Sequence, residues 1–223
     1  MLGVMAPAFV DRREAGRRVA EQLTDLAADR DVVVLGLPRG GVPVAAEVAT
    51  ALAAPLDVLV VAKVGVPGHE ELALGAVADD GSVVLNPGIV AVTGLGAEAV
   101  ETLAQRQALT LVRRAADLRA GRPATPVEGR VAVVVDDGMA TGATMRVALE
   151  VVRRRGPHTV VAAVPVASAE AVDAVADAAD RVVCVLTPPG FRAVGSWYDD
   201  FTQVGDDEVR RLLRSAVEGV DDA

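Results

Sequence analysis

Two adjacent carboxylates, Asp136 and Asp137, follow an apolar run at residues 131–135, and a turn of small residues leads from them into a predicted helix. Two acids at the end of a strand can accept hydrogen bonds from a pair of vicinal hydroxyls. The turn at residues 140–144 reads Ala-Thr-Gly-Ala-Thr, which places backbone N–H groups and hydroxyls at a helix N-terminus, where phosphate binds well. Recognition of vicinal hydroxyls beside recognition of phosphate predicts a site for a ribose 5-phosphate.

The run Val131–Thr144 resembles the 5-phosphoribosyl 1-diphosphate (PRPP) signature of the type I phosphoribosyltransferases, in which four apolar residues and two acids precede small residues, Thr-Gly and Thr. The alternative is a capped helix after a strand with incidental acids. The resemblance implies that Asp136 and Asp137 bind the ribose hydroxyls. It also implies a 5-phosphate loop made of Ala140, Thr141, Gly142, Ala143 and Thr144.

A second glycine-rich turn, Gly36-Leu-Pro-Arg-Gly-Gly41, follows the first predicted strand. In the type I family a loop at this place binds pyrophosphate, so the resemblance implies that role for Pro38, Arg39, Gly40 and Gly41. The glycines expose backbone amides, and the guanidinium of Arg39 is a planar fork that suits phosphate oxygens. An ordinary Pro/Gly turn with a solvated arginine is the alternative.

Lys63, the only lysine of the chain, is predicted to end the second strand, at residues 57–63. Family members often place a basic residue near the pyrophosphate at this point, which would add Lys63 to the pyrophosphate loop. A lysine that caps an apolar strand is the equal alternative. Residues 64–71 then match, by their glycines and charges, the mobile loop that closes over the reacting centre in the family. His69 in this loop is a candidate acid/base, with a solvated histidine as the alternative.

The reaction that the resemblance implies is displacement of pyrophosphate from C1 of PRPP by a nitrogenous base or amine, with Asp136, Asp137 and Arg39 as catalytic residues. Mg²⁺ is the implied cofactor. Because Mg²⁺ prefers substrate phosphates to all-protein cages, we expect PRPP to carry the ion, with Asp136 and Asp137 as outer partners. A non-catalytic PRPP- or nucleotide-sensing module on the same fold is the alternative function. The third hypothesis is a different α/β nucleotide-binding protein, but it would leave the match at residues 131–144 without a role.

Two departures from the family pattern concern the acceptor, the small heterocycle or amine that receives the phosphoribosyl group. The 6-oxopurine enzymes have an Asp where this chain has Ala140, and they use a later lysine, whereas no lysine follows residue 63 here. A guanine or hypoxanthine acceptor is therefore not expected. The adenine and orotate enzymes do have Ala at this position, but nothing else in the sequence identifies either base.

Four of the five aromatic residues lie between residues 191 and 201, after the last predicted strand. Because flat rings stack on heterocycles and carboxylates accept N–H groups, this segment is predicted to bind the acceptor. The candidate residues are Trp197, Tyr198, Asp199 and Asp200. Phe191 and Phe201 are expected instead to form a small local core that holds the C-terminal helix, which is also the equal alternative for Trp197 and Tyr198.

Short apolar strands separated by helices predict an α/β fold with a mostly parallel central sheet flanked by helices, and ligands in such folds bind beyond the carboxyl ends of the strands. The family resemblance implies the type I phosphoribosyltransferase fold, with a hood from the terminal segments and a mobile hairpin or loop. We expect one domain, with a core at about 30–187 and a hood at about 1–29 and 188–223. The predicted helices are 11–28, one that ends near 54, 96–120, 143–155, 169–179 and one from about 206. The predicted strands are 32–35, 57–63, 72–78, 82–85, 131–135, 159–164 and 182–186.

The charge balance of the 223-residue chain is acidic, with 31 acidic and 22 basic residues and a formal net charge of −9. It argues against binding to nucleic acid or to an anionic membrane surface, because both need a basic field. No run approaches the roughly 18 apolar residues of a membrane span. The single cysteine, Cys184, cannot form an internal disulfide, so a cytoplasmic protein is expected. The family resemblance adds the expectation of a homodimer.

Overall fold

The computed structural model describes residues 8–28, 31–67 and 69–221, without the side chains of 69–71 and 217–221. Its centre is a parallel sheet of five strands. These strands are β1 (Val32–Gly36), β2 (Leu56–Val58), β6 (Val131–Val135), β7 (Thr159–Val166) and β8 (Arg181–Leu186). Their order is β2-β1-β6-β7-β8, which confirms the predicted α/β fold with a parallel central sheet.

Helices cover both faces of this sheet. They are α1 (Arg12–Glu21), α2 (Gly41–Leu52), α3 (Pro87–Thr93), α4 (Ala97–Arg119), α5 (Ala143–Arg154), α6 (Ala169–Val175) and α7 (Asp206–Asp221). The helices α1, α2, α4 and α7 pack on one face, and α5 and α6 pack on the other. Within the described ranges, no helix is long and apolar enough to cross a membrane.

All residues of β1 and β6 are buried, and alternate residues enter opposite cores. Val32 and Val34 belong to the core under α1 and α2, whereas Val33 and Leu35 belong to the core under α5. Because each face of the strand meets a helix layer, neither face requires polar residues. This is why the strands read as unbroken apolar runs in the sequence.

The first helix is shorter than predicted. Asp11 caps α1 as the sequence indicates, since its side chain accepts a hydrogen bond of 2.8 Å from the N–H of Glu14. However, α1 ends at Glu21, and a 3-10 helix covers Thr24–Ala28. The helix α6 also ends early, at Val175. The seven-residue helix α3 was not predicted, although Asn86 caps it and a proline begins it.

A second, antiparallel sheet lies outside the central one. It contains β3 (Val61–Val66), β4 (His69–Ala78) and β5 (Val83–Leu85), in the order β3-β4-β5. The predicted hairpin at 72–85 is confirmed. The single strand predicted over 57–63 is wrong, because the chain leaves the central sheet after Val58 and enters the second sheet at Val61. An unbroken apolar run carries no sign of that transfer. Residues 64–66 and 69–71, predicted as a loop, are strand residues.

Two segments that are far apart in the chain, residues 8–10 and 191–201, lie together, and we call them the hood segments. Phe9 and Tyr198 form a parallel bridge, and the N–H of Asp199 donates to the carbonyl of Phe9 over 2.9 Å. Phe9, Trp197 and Tyr198 are buried with Val166 of β7 in one hydrophobic cluster. The hood segments therefore pack on the carboxyl end of the central sheet.

A buried ionic network joins the two sheets. Arg119, at the end of α4, donates from Nε to Asp57 of β2 over 2.8 Å and also bonds Asp79 in the turn between β4 and β5. Arg155 donates to the other oxygen of Asp79 over 2.6 Å. Arg119, Asp57 and Asp79 are each at most 6% exposed. Each charge in the network therefore depends on its partners for stabilisation.

We predict that Arg119→Met destabilises the fold by about 3–5 kcal/mol, because it leaves two carboxylates buried without their shared cation. Chemical denaturation measures this free energy of unfolding. Arg113→Met, at an exposed position of the same helix, is the matched control and should change it by less than about 0.5 kcal/mol. Equal effects of the two substitutions would contradict the importance of the network.

Candidate active site

The strands β1 and β6 are neighbours in the centre of the sheet, with Gly36 opposite Val135 in the register. After β1 the chain crosses to β2 on one side, and after β6 it crosses to β7 on the other. Ligands of parallel α/β sheets bind beyond the strand ends at such a reversal. The two loops predicted to bind PRPP, residues 37–41 and 136–144, leave these two strand ends.

Asp136 and Asp137 are half-buried at the carboxyl end of β6. Burial and the adjacent Asp137 carboxylate raise the pKa of Asp136 well above its ordinary value. Burial also raises the pKa of Asp137, and the hydrogen bond and charge of Arg12 oppose that shift. The chain therefore holds two carboxylates together at a place where added hydrogen-bond donors would stabilise their charged forms.

The loop after β1 touches these acids because it has no side chains at residues 40 and 41. A Cβ on Gly40 would lie 2.0 Å from Oδ2 of Asp137, and a Cβ on Gly41 would lie 2.6 Å from the carbonyl oxygen of Val135. A larger residue at Gly40 would displace the carboxylate of Asp137, and one at Gly41 would force the backbone to move. In this loop the peptide bond between Pro38 and Arg39 is cis. The glycine pair brings the candidate pyrophosphate loop against the acids.

The turn after the acids is anchored to the end of the neighbouring strand. Met139 forms a bridge with Ala167, which follows β7. The hydroxyl of Ser168 donates to the carbonyl of Ala140 over 2.9 Å and accepts from the N–H of Ala171 over 2.9 Å. These bonds fix the path of the candidate 5-phosphate loop before it enters α5.

Gly142 turns the chain into α5 with a φ of +71°, a left-handed conformation that glycine adopts without strain. A Cβ at this position would also lie 2.8 Å from the carbonyl oxygen of Ala171. The flanking Thr141 and Thr144 are exposed, and the Thr141 hydroxyl accepts from the N–H of Ala143 over 3.4 Å. The turn thus presents hydroxyls and a helix N-terminus on the same side of the sheet as the acids.

The two basic residues that are predicted to bind pyrophosphate have different surroundings in the structure. Arg39 is half-exposed, and its guanidinium lies 3.9 Å from the carboxylate of Asp206 at the start of α7. Arg114 of α4 donates to both oxygens of the same carboxylate. Lys63 is exposed inside β3, opposite Ala76, and not at a strand end as predicted, because β2 already ends at Val58. Contact of Lys63 with pyrophosphate stays a prediction.

Trp197 and Tyr198 do not form an open aromatic surface. Their exposed fractions are 7% and 4%, and the Tyr198 hydroxyl donates to the backbone carbonyl of Asp137 over 2.6 Å. Burial raises the pKa of the Tyr198 phenol, so the group stays a neutral donor. The predicted stacking of an acceptor on these two rings disagrees with this placement, because both rings are enclosed in the hood cluster. Tyr198 supports the backbone of the acid pair instead.

Phe191 is partly buried against the hood cluster, as expected, whereas Phe201, also expected in a local core, is exposed. It is 36% exposed and lies 5.0 Å from the ring of Tyr198, centroid to centroid. Asp199 and Asp200, the other predicted acceptor residues, are exposed. One oxygen of Asp200 accepts from the N–H and the hydroxyl of Thr202 over 2.9 and 2.6 Å. The surface face of the hood thus combines one ring with two carboxylates.

Arg12 is a site residue that sequence reasoning missed. Its Nε donates to Oδ2 of Asp137 over 2.8 Å across 125 positions of the chain. No motif marks it, but one weak signal exists. A cation in the first turn of a helix is disfavoured by the helix dipole, which suggests a partner elsewhere. His69, the candidate acid/base, begins β4, and its side chain lies outside the described residues, so its role stays a prediction.

Known proteins are similar to this chain over most of its length. Residues 10–194 match the family model described as a phosphoribosyl transferase domain. The chain is 52% identical over 208 residues to proteins of two strains of Mycobacterium tuberculosis, each named "Putative phosphoribosyl transferase". The match covers 93% of this chain and 47% of theirs, so the chain spans about half the length of these relatives.

The fold has a close match among crystal structures. A protein of Thermus thermophilus superposes with a TM-score of 0.85 at 48% identity, over 93% of this chain and 98% of that chain. The family match includes the acid pair, the turn after it and the glycine loop after β1. On this evidence the chain belongs to the phosphoribosyltransferase family.

Proposed function

We propose that this chain transfers the 5-phosphoribosyl group of PRPP to a nitrogenous base or amine and releases pyrophosphate. The main support for this proposal is the contact of Asp137 with Gly40, which follow the ends of two neighbouring parallel strands. One loop offers carboxylates for the ribose hydroxyls, and the other offers backbone amides and Arg39 for pyrophosphate. The bond between C1 and the pyrophosphate oxygen would then lie between the two loops.

The reaction breaks the bond from C1 to the pyrophosphate oxygen and forms a bond from C1 to the acceptor nitrogen, which afterwards gives up a proton. Positive charge develops on the ribose, and negative charge develops on the leaving group. Asp136 and Asp137 would hold the sugar so that C1 faces the nucleophile. Arg39 and the amides of the glycine turn would stabilise the charge on pyrophosphate.

Mg²⁺ fits this site as an ion carried by its substrate. Within the ranges described, no group of three or more His, Cys, Asp or Glu side chains forms a metal cage. Asp136 and Asp137 supply the hard oxygen donors that Mg²⁺ prefers, and they would serve as its outer partners. The bound ion would neutralise pyrophosphate charge, which a chain of net charge −9 needs in order to bind a polyanion.

A pocket of about 260 Å³ beside the hood supports a small acceptor that carries N–H groups. Its lining residues are Asp11, Arg12, Arg13, Pro43, Asp200, Thr202, Gln203, Val204 and Glu208. Arg12 lies between this pocket and Asp137, because it lines the pocket and bonds that acid. The volume suits one heterocycle or a small amine. Asp200 lines this pocket and would accept N–H groups of the acceptor, and Asp199 is its exposed neighbour.

A non-catalytic module that senses PRPP or a nucleotide is the second candidate function. The burial of Trp197 and Tyr198 favours it, because burial removes the predicted stacking surface for an acceptor. The test is a panel of bases and amines, with release of pyrophosphate from PRPP and Mg²⁺ as the measurement. Turnover with one acceptor supports the transferase. If no acceptor of the panel releases pyrophosphate while PRPP still binds, the result supports the sensor.

The acid pair provides the first prediction for this function. Replacing both Asp136→Asn and Asp137→Asn should lower PRPP affinity about 100-fold or more, because two charge-assisted hydrogen bonds to the sugar are lost. Calorimetric titration with PRPP and Mg²⁺ measures this. The control is Glu98→Gln with Glu101→Gln, two exposed acids of α4 that change the net charge equally. Unchanged affinity in the aspartate variant would refute the assignment.

Arg39 provides the second prediction. Arg39→Ala should weaken pyrophosphate binding about tenfold or more and ribose 5-phosphate binding less than about twofold, because the guanidinium serves only the leaving group. Titration with each ligand separately measures the two effects. Arg106→Ala, at an exposed position of α4, is the matched control. An equal loss for both ligands would remove Arg39 from the pyrophosphate site.

A further inference from the structure

Arg12 is enclosed between the acid pair and the hood, and it contacts three different groups there. Its Nε donates to Oδ2 of Asp137 over 2.8 Å, and another guanidinium nitrogen donates to the carbonyl of Thr202 over 2.9 Å. The plane of Phe201 lies under the guanidinium, 3.9 Å from its carbon to the ring centroid. Arginine can bond along its fork and stack its face on a ring at the same time, which lysine reproduces only in part.

The pair formed by Arg12 and Asp137 rests on the glycine turn of the other loop. A Cβ on Gly40 would lie 2.0 Å from Oδ2 of Asp137 and 3.3 Å from Nε of Arg12. The two side chains are only 11% and 15% exposed. An enclosed pair of this kind fixes the direction of its carboxylate, whereas an exposed pair moves freely in solvent.

We propose that Arg12 is the positioning residue of the ribose site. It orients the carboxylate of Asp137 toward a ribose hydroxyl, and Thr202 and Phe201 hold it in place. The inference rests on the proposed function, in which Asp137 binds that hydroxyl. Arg12 acts through Asp137 and does not touch the reacting atoms. The hood therefore contributes to sugar recognition as well as to the acceptor pocket.

An exposed arginine of the same helix provides a matched control. Arg17 is 58% exposed, and its guanidinium lies 3.7 Å from Glu47 of α2. Exposed pairs at such distances contribute little to stability or orientation. Substitution of Arg17 removes the same charge from the same helix but leaves the contact with Asp137 in place.

The test compares the affinities for ribose 5-phosphate, 2-deoxyribose 5-phosphate and 3-deoxyribose 5-phosphate by calorimetry. We expect the wild-type chain to prefer ribose 5-phosphate. Arg12→Met should reduce this preference about tenfold, because a misdirected carboxylate no longer distinguishes a hydroxyl from a hydrogen. Arg12→Lys should reduce it less, and Arg17→Met should leave it unchanged. In the background of Asp137→Asn, which itself loses the preference, Arg12→Met should have no further effect on it.

The outcomes separate this inference from the proposed function. If folded Arg12→Met and Arg12→Lys keep the wild-type preference while Asp137→Asn loses it, the ribose site stands and the role of Arg12 is overturned. An equal loss for all three sugars in the Arg12 variants also overturns it, since that is the effect of a structural residue. If Arg12→Met does not fold, the preference of Arg12→Lys for ribose 5-phosphate decides whether Arg12 has this role. A wild-type chain without any preference would instead refute the assignment of Asp137 to the sugar.

Discussion

The candidate site depends on a contact that leaves no room for a side chain: the carboxylate of Asp137 lies where residue 40 would carry its Cβ. The contact exists because β1 and β6 are parallel neighbours whose loops leave the sheet side by side. Both strands are fully buried between helix layers, and a Cβ on Gly41 would meet the backbone of Val135 and Asp136. Gly40 and Gly41 therefore allow the two candidate ligand-binding loops to approach each other closely.

Charge is the second constraint, because this acidic chain concentrates two carboxylates at one strand end. Their pKa values are raised, which means that the fold holds them in a place that disfavours their charge. Arg12 offsets part of that cost at Asp137. At the other loop, Arg39 faces Asp206, so each arginine of the site has an acidic partner in the free protein. Binding of pyrophosphate would then replace Asp206 as the partner of Arg39, whereas Arg12 would keep its bond to Asp137.

The parallel sheet and the two loops could be predicted from the sequence, because each strand and each loop is a continuous stretch of residues. Apolar runs without alternation identify strands covered on both faces, and the acids and glycines directly follow such runs. The break between β2 and β3 could not be predicted, since the residues on both sides of the break are apolar. Nor did the sequence show that Trp197 and Tyr198 are buried or that Arg12 bonds Asp137. The placement of the two rings depends on the pairing of Phe9 with Tyr198, and the bond of Arg12 to Asp137 joins residues 125 positions apart.

The most direct test of this account is a crystal structure of the chain with ribose 5-phosphate bound. The account predicts the sugar hydroxyls on the carboxylates of Asp136 and Asp137, and the phosphate on the turn from Thr141 to Thr144 at the start of α5. Arg12 should keep its bond to Asp137 in that complex. A sugar phosphate bound with its hydroxyls away from both acids, or with its phosphate outside that turn, would contradict it.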